Sequence, residues 1–171
     1  MGPVLVILSG LPGVGKSAAA RALAPRIGAV WLRIDSVEDA LRGCSLRMRR
    51  IDDAGYAACA AVARDNLALG LPVIADMVNP WELTREMWRA AARAAGAPFL
   101  DVELVCADPA LHRRRVEARR AAHDGPGHPP PDWGAVMARD YRPHARPVLQ
   151  LDTAQASPEE LAARIQAALG G

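Results

Sequence analysis

Gly10-Leu11-Pro12-Gly13-Val14-Gly15-Lys16-Ser17 decides how the rest of this chain is read. It follows an apolar run, Val4-Leu5-Val6-Ile7-Leu8, and precedes a helix-forming run, Ala18-Ala19-Ala20-Arg21-Ala22-Leu23-Ala24. A strand, a glycine-rich loop and a helix in that order are the context in which the spacing G-x-x-x-x-G-K-[ST] carries meaning. Glycines let the backbone take positive φ and approach an anion closely. Successive N–H groups, from Gly10 to Ser17 and on to Ala18, then form a cationic nest at the positive end of the helix, suited to a polyphosphate. Lys16 is expected to reach the outer phosphates, and the Ser17 hydroxyl to hold Mg²⁺. Lys16 is also the only lysine among 21 basic residues. A composition that otherwise uses arginine keeps a compact ammonium at one place, where a guanidinium does not substitute.

Working outward, Val4 to Leu8 shows no alternation and reads as a strand buried on both faces, the mark of a parallel sheet. A helix starts near Lys16, and Pro25 is expected to kink or end it. Val30 to Ile34 reads as a second strand with Asp35 at its carboxyl end. A basic group follows, Arg42, Arg47, Arg49 and Arg50, and then a helix over about 53–69 closed by Gly70 and Pro72. Val73-Ile74-Ala75 is a third strand ending in Asp76. Asn79-Pro80-Trp81-Glu82 reads as a helix start with Asn79 as the cap, in a helix running to Gly96 that carries Trp81 and Trp88 as core residues. Residues 99–105 form a fourth strand. Asp108-Pro109 opens a helix rich in arginine, and residues 123–131 read as a mobile loop. Asp132 caps a short helix to about Arg139, residues 148–151 are a fifth strand, and Ser157-Pro158-Glu159-Glu160 is a capping box for the last helix.

Strands alternating with helices predict an α/β fold: a doubly wound, five-stranded parallel sheet with right-handed crossovers, in one domain of 171 residues. A chain of that size buries about 70% of its unfolded surface. Ligands of such sheets sit beyond the carboxyl ends of the strands, so Asp35 and Asp76 are expected beside the loop. Net charge is only +2 and aromatic content 4%, which speaks against a nucleic-acid track. Cys44, Cys59 and Cys106 are too scattered for a disulfide framework or zinc site. No run approaches the ~20 apolar residues of a membrane span, and the first residues lack a leader pattern. The expectation is a cytoplasmic protein with no membrane partner; the sequence leaves its oligomeric state open.

Asp35 is the candidate catalytic base, since transfer to a hydroxyl needs a group that takes or orients the acceptor proton. Its structural alternative is a helix N-cap. Asp76 is read either as a second Mg²⁺ group or as a substrate contact, and Asn79 as a cap first and a substrate contact second. Arg113-Arg114-Arg115-Val116-Glu117-Ala118-Arg119-Arg120 places Arg115 and Arg119 on one face, with Arg113 and Glu117 spaced as an ion pair. So much positive charge suits a polyphosphate, making Arg115 and Arg119 candidates for catalysis and nucleotide binding. Arg42 and Arg50 are read as holding an anionic substrate group or as plain surface. His112, His123, His128 and His144 are read as surface or loop residues without metal-ligand spacing.

These motifs resemble the small P-loop kinases classed with the AAA-family ATPases, a set that includes chloramphenicol phosphotransferase, zeta-toxin-like kinases, gluconate kinase and polynucleotide kinase. The resemblance rests on residues 9–17, on Leu32-Arg33-Ile34-Asp35, on Val73-Ile74-Ala75-Asp76 and on the arginine helix after Asp108-Pro109. It implies a P-loop NTPase of nucleotide-monophosphate-kinase-like fold, with ATP and Mg²⁺ as cofactors, Asp35 as base and residues 109–131 as a lid. It places adenine near Asp152 and Thr153. The activity implied is transfer of a phosphoryl group to a hydroxyl of a small molecule, an antibiotic among the options. The alternatives are a nucleoside, nucleotide or polynucleotide 5′-hydroxyl kinase, and a nucleotide-dependent binding switch. An AAA motor is not expected, because it needs a larger domain with sensor motifs.

Overall fold

The computed structural model describes residues 1–44, 53–124 and 129–170. In chain order the elements are β1 (Leu5–Ser9), α1 (Lys16–Ile27), β2 (Val30–Arg33), α2 (Ile34–Gly43), α3 (Ala54–Ala68) and β3 (Val73–Asp76). They continue with α4 (Glu82–Ala94), β4 (Phe99–Val105), α5 (Pro109–Ala121), α6 (Trp133–Met137), β5 (Leu149–Asp152) and α7 (Pro158–Ala168). The five strands form one sheet in the order β2-β3-β1-β4-β5, every pair parallel.

The unbroken apolar run in β1 follows from its central place. Leu5 and Ile7 pack with Ala63 and Leu67 of α3 and Trp88 of α4. Val6 and Leu8 face the other way, onto Leu23 of α1 and Leu161 of α7. All four are fully buried, each worth about 1.5–3 kcal/mol of hydrophobic transfer. Strand pairing sets Leu8 beside Asp76, and Asp76 beside Arg33. The carboxyl ends of β1, β2 and β3 therefore finish level, next to the start of α1.

Three caps behave as expected, among them Asp132, whose Oδ1 accepts from Ala135 N–H at the start of α6. Asp108 Oδ1 accepts from the N–H groups of Ala110 and Leu111, and Ser157 with Glu160 forms a capping box. Other expectations need correction. Helix α1 continues through Pro25 to Ile27, because the proline falls in its last turn and Gly28, in the left-handed region, closes the helix onto Ala24 O. Strand β2 ends at Arg33 and α2 begins at once, since Ile34 is drawn into the core. Asp35 thus sits in the first turn of α2 rather than at a strand end, and it is not the cap. Strand β5 is shifted one residue, to 149–152, and α6 stops at Met137 rather than near Arg139.

Asn79 is not a cap either. Helix α4 starts three residues later, at Glu82, with Trp81 at the N-cap. Asn79 is fully buried at φ +53°, and both its side-chain amide atoms lack a partner among the described residues. Its N–H donates to the Tyr56 hydroxyl (3.1 Å), and its carbonyl accepts from Arg85 Nε (3.1 Å). These two tertiary bonds hold the backbone in a conformation from which the local cap cannot form. Trp81 consequently lies outside the helix and half exposed, its Nε1 on Asp140, while Trp88 alone fills the core. His112 is buried, and the His144 side chain is covered although the residue as a whole is only part-buried, against expectation, because each is drawn onto a neighbouring segment: His112 onto the loop at Pro12 O, His144 toward Ser9 and Glu103. Among the described residues no helix is long and apolar enough to cross a membrane.

Candidate functional site

The glycines of the loop are held in place by what surrounds them. Gly10 has φ +140°, and a Cβ there would lie 2.3 Å from Leu104 O. Gly13 has φ +85°, and its Cβ would lie 2.5 Å from Val116 Cγ2 on α5. Both positions combine a conformation that L side chains rarely adopt with no room for one. Gly15 caps α1 from the left-handed region, and a Cβ there would make only ordinary contact with Thr153, at 3.8 Å. Leu11, Val14 and Ala18 complete the turn, and the His112 ring donates to Pro12 O (2.8 Å), joining α5 to the loop.

Lys16 is buried, and its Nζ donates to Gly10 O and Leu11 O, both at 2.9 Å. An ammonium has three donors, so one is left for an anion. Burial lowers the Lys16 pKa to about 8; Asp76 and Asp35 oppose that shift, and Arg119 and Arg139 add to it. An anion set in the loop would restore the charged form.

Asp76 is buried and accepts from Trp31 Nε1 at 3.3 Å. Asp35 accepts from Arg119 Nη2 (2.9 Å) and Arg33 Nη2 (3.2 Å). Burial pushes the Asp35 carboxyl up, but the Arg119 bond and the charges of Arg119, Arg33 and Lys16 outweigh it and hold the group below its ordinary value. The Asp35 and Arg119 side chains are 46% and 40% exposed, so their pair is worth at most about 1 kcal/mol and can open for a competing ligand.

These residues line one pocket of about 280 Å³, with Lys16, Ser17 and Asp76 at the loop and Asp35, Glu38, Asp39, Arg42 and Tyr56 along α2 and α3. Arg119, Arg139 and the prolines 129–131 complete it. The expected gathering of Lys16, Ser17, Asp35, Asp76 and Arg119 is therefore present. Arg42 is at the wall but engaged by Glu38 (3.1 Å) and Asp39 (3.6 Å). Arg115 is directed elsewhere: its guanidinium donates to Thr153 Oγ1 (2.8 Å) and Thr153 O (3.0 Å). Thr153 Oγ1 in turn donates to Val14 O (2.6 Å), so Arg115 braces the loop from behind. Asp152 Oδ1 accepts from the N–H groups of Ala107 and Ala154. Asn79 lies behind Tyr56 and is not part of the wall. Arg47, Arg49, Arg50 and His128 lie outside the described residues.

Four polar wall residues escaped the sequence reading. Glu38 and Asp39 stand three and four positions after Asp35, a spacing that puts all three on one helical face and would have found them. Tyr56 and Arg139 carry no such signal. Each reaches the pocket through tertiary packing alone.

Ser17 and Asp76 supply hard oxygen donors beside the lysine of the loop. Mg²⁺ binds through one or two protein oxygens together with phosphate, so this donor set fits it. Among the described residues no group of three His, Cys, Asp or Glu side chains could hold a metal by itself.

The glycine-rich loop closed on a parallel β2-β3-β1-β4-β5 sheet defines a P-loop α/β protein. The chain belongs to the AAA domain family, which matches residues 5–144. No curated protein matches it in sequence. Its fold is shared with the Mycobacterium tuberculosis APS kinase CysC in complex with AMPPNP and APS, at 20% identity and TM-score 0.68 over 99% of both chains. It is shared with Chaetomium thermophilum Kti12 in complex with ADP-AlF3, at 18% identity and TM-score 0.70 over 98% of this chain and 100% of that one. A gluconokinase from Sinorhizobium meliloti matches at 22% identity and TM-score 0.63, over 98% of this chain and 96% of that one.

Proposed function

We propose that this protein is an ATP-dependent phosphotransferase that moves the γ-phosphoryl group of MgATP to a hydroxyl of a small molecule. The observation that carries the reading is the joint placement of Lys16 and Asp35 on one pocket, the first at the phosphate loop and the second across from it. A pure nucleotide switch needs the loop but has no use for a carboxylate facing it. The kinases that share the fold add support at the level of architecture.

In this reading the loop N–H groups and Lys16 hold the β- and γ-phosphates. Ser17 and Asp76 hold Mg²⁺, which when bound screens the charge of the transferring group. Arg119 leaves Asp35 for the γ-phosphate, so nucleotide binding frees the carboxylate to orient the acceptor hydroxyl. The acceptor oxygen forms its bond to Pγ as the bond from Pγ to the bridging oxygen breaks, and the hydroxyl proton passes to Asp35. The products are ADP and a phosphate monoester. A carboxylate held below its ordinary pKa is a weak base, which is sufficient where the transition state is loose and catalysis is mostly positioning and charge stabilisation. In this reading α5 and the segment after it form the lid, of which residues 125–128 lie outside the described residues, and Arg115 secures its root on Thr153.

The acceptor is small and neutral in this reading. Arg42, the expected anion holder, is already matched by two carboxylates. Tyr56 is the one aromatic ring on the wall among the described residues, and its ring is packed against the core beside Trp88, with centroids 6.5 Å apart. That disfavours base stacking and so a nucleoside or polynucleotide acceptor. An antibiotic remains within the class of acceptor proposed.

The test is ADP release from MgATP with and without pooled hydroxyl compounds, namely antibiotics, sugars, nucleosides and short oligonucleotides. Stimulation by one pool, lost in Lys16→Ala and in Asp35→Asn, supports the kinase. No stimulation by any pool, with basal hydrolysis intact in Asp35→Asn, favours the switch.

A further inference from the structure

Four cations line the pocket among the described residues: Lys16, Arg42, Arg119 and Arg139. Three of them are engaged. Lys16 is on the loop carbonyls, Arg42 on Glu38 and Asp39, and Arg119 on Asp35. The Arg139 guanidinium forms no ion pair or hydrogen bond with any described residue.

Most unpaired arginines are solvated and mobile, but the segment that carries this one is fixed immediately after it. Asp140 accepts from Trp81 Nε1 (3.0 Å), and the Tyr141 hydroxyl donates to Glu103 (2.8 Å). Arg142 N–H donates to Pro80 O (2.9 Å). Arg85, itself fully buried, donates to Arg142 O (2.6 Å) and Pro143 O (2.9 Å) and lies 5.3 Å over the Tyr141 ring. The same guanidinium holds Asn79 O and Pro80 O, so it ties the turn after β3 to the 140–143 strap. Arg139 is the last residue before this anchored strap, and its charge reaches both Lys16, where it adds to the lowering caused by burial, and Tyr56, where it partly offsets the burial that pushes the hydroxyl up to about 12. Arg139 is exposed, its backbone is set by the strap, and its charge faces another cation with no counter-ion among the described residues, so an arriving anion compensates both.

The geometry points to Arg139 as a catalytic residue that meets the transferring phosphoryl group from the strap side, held ready by Arg85 as its positioning residue. The inference rests on the phosphotransferase reading and adds to it a contact from outside the arginine helix. The pocket thus has a cation that does not have to be released from a carboxylate before it can act. Its contribution grows as negative charge spreads over the phosphoryl oxygens, which is where a preorganised donor is most effective.

The experiment is calorimetric binding of ADP with magnesium, alone and with aluminium fluoride as a mimic of the transferring group, to wild type, Arg139→Ala, Arg139→Lys and Arg113→Ala. Fluoride is expected to tighten ADP binding to wild type. Arg139→Ala is expected to bind ADP alone as wild type does, since ADP lacks the group Arg139 meets, and to lose about 10- to 100-fold of the gain from fluoride. Arg139→Lys recovers part of that gain. Arg113, exposed and paired with Glu117 away from the pocket, is the control expected to match wild type. A full gain in Arg139→Ala overturns this inference and leaves the kinase reading standing. A wild type that binds no ADP, or gains nothing from fluoride, overturns both.

Discussion

The two halves of the pocket are made in different ways. The phosphate half comes from one contiguous stretch, residues 10–18, in which Gly10 and Gly13 are blocked by Leu104 O and Val116 and the lysine is folded onto its own loop. The acceptor half is assembled from α2, α3, the turn after β3, Arg119 of α5 and the strap after α6, and most of its charges are paired across half-exposed contacts. One half is rigid through local geometry. The other is held by ion pairs that cost little to open. The comparison teaches that affinity for a nucleotide and choice of acceptor are carried by separable parts of this chain.

The largest effect expected falls on the rigid half. Lys16→Ala should lower kcat by about 10²–10³-fold through loss of a preorganised charge, read as ADP release under saturating acceptor. A loss under tenfold would mean that the two halves do not differ as described. Arg85→Ala should come next, on stability. It empties a fully buried position whose guanidinium serves four carbonyls, at a cost of about 3–5 kcal/mol. The expected fall in Tm is roughly 6–20 °C for a chain of this size, followed by circular dichroism. A drop of only a degree or two would show that the strap does not depend on Arg85.

A pH experiment sharpens the comparison further. Lys16, with its pKa lowered to about 8, is charged below that pH and neutral above it, while bound polyphosphate favours the charged form. Nucleotide affinity should therefore fall as pH rises through about 8, with proton uptake on binding between pH 8 and 10, measured by calorimetry in buffers of different ionisation enthalpy. Asp35 has the opposite sense. Its pKa is lowered, so the carboxylate stays ionised across this range, and its stabilising pairs are lost only as pH falls through its folded pKa in acid. Affinity that is flat from pH 7 to 9.5 would contradict the assignment to Lys16. The smallest effect belongs to the outer face of α5: Arg113→Ala breaks an exposed i,i+4 pair and should change stability by less than about 0.5 kcal/mol.

The corrections share one cause. Asn79-Pro80-Trp81-Glu82 has the local chemistry of a helix start, yet Tyr56 and Arg85 take the backbone groups that a cap would have used. His112 and His144 look like surface residues because nothing near them in sequence shows that the loop and β1 lie above them. Arg115 and Arg119 share a helical face, but Thr153 takes the one and Asp35 the other.

By itself the sequence determined the phosphate loop, the parallel sheet and the edge on which Asp35 and Asp76 meet that loop. Those features follow from short-range rules: glycine spacing, unbroken apolar strands and the fixed hand of βαβ crossovers. Only the tertiary structure decided which charges line the pocket and which are engaged by neighbours, with Arg42, Arg119 and Lys16 held and Arg139 left free of a described partner. The physical reason is range. A backbone conformation is chosen within a few residues, whereas an ion pair joins residues such as Asp35 and Arg119 that only the finished fold brings within 2.9 Å.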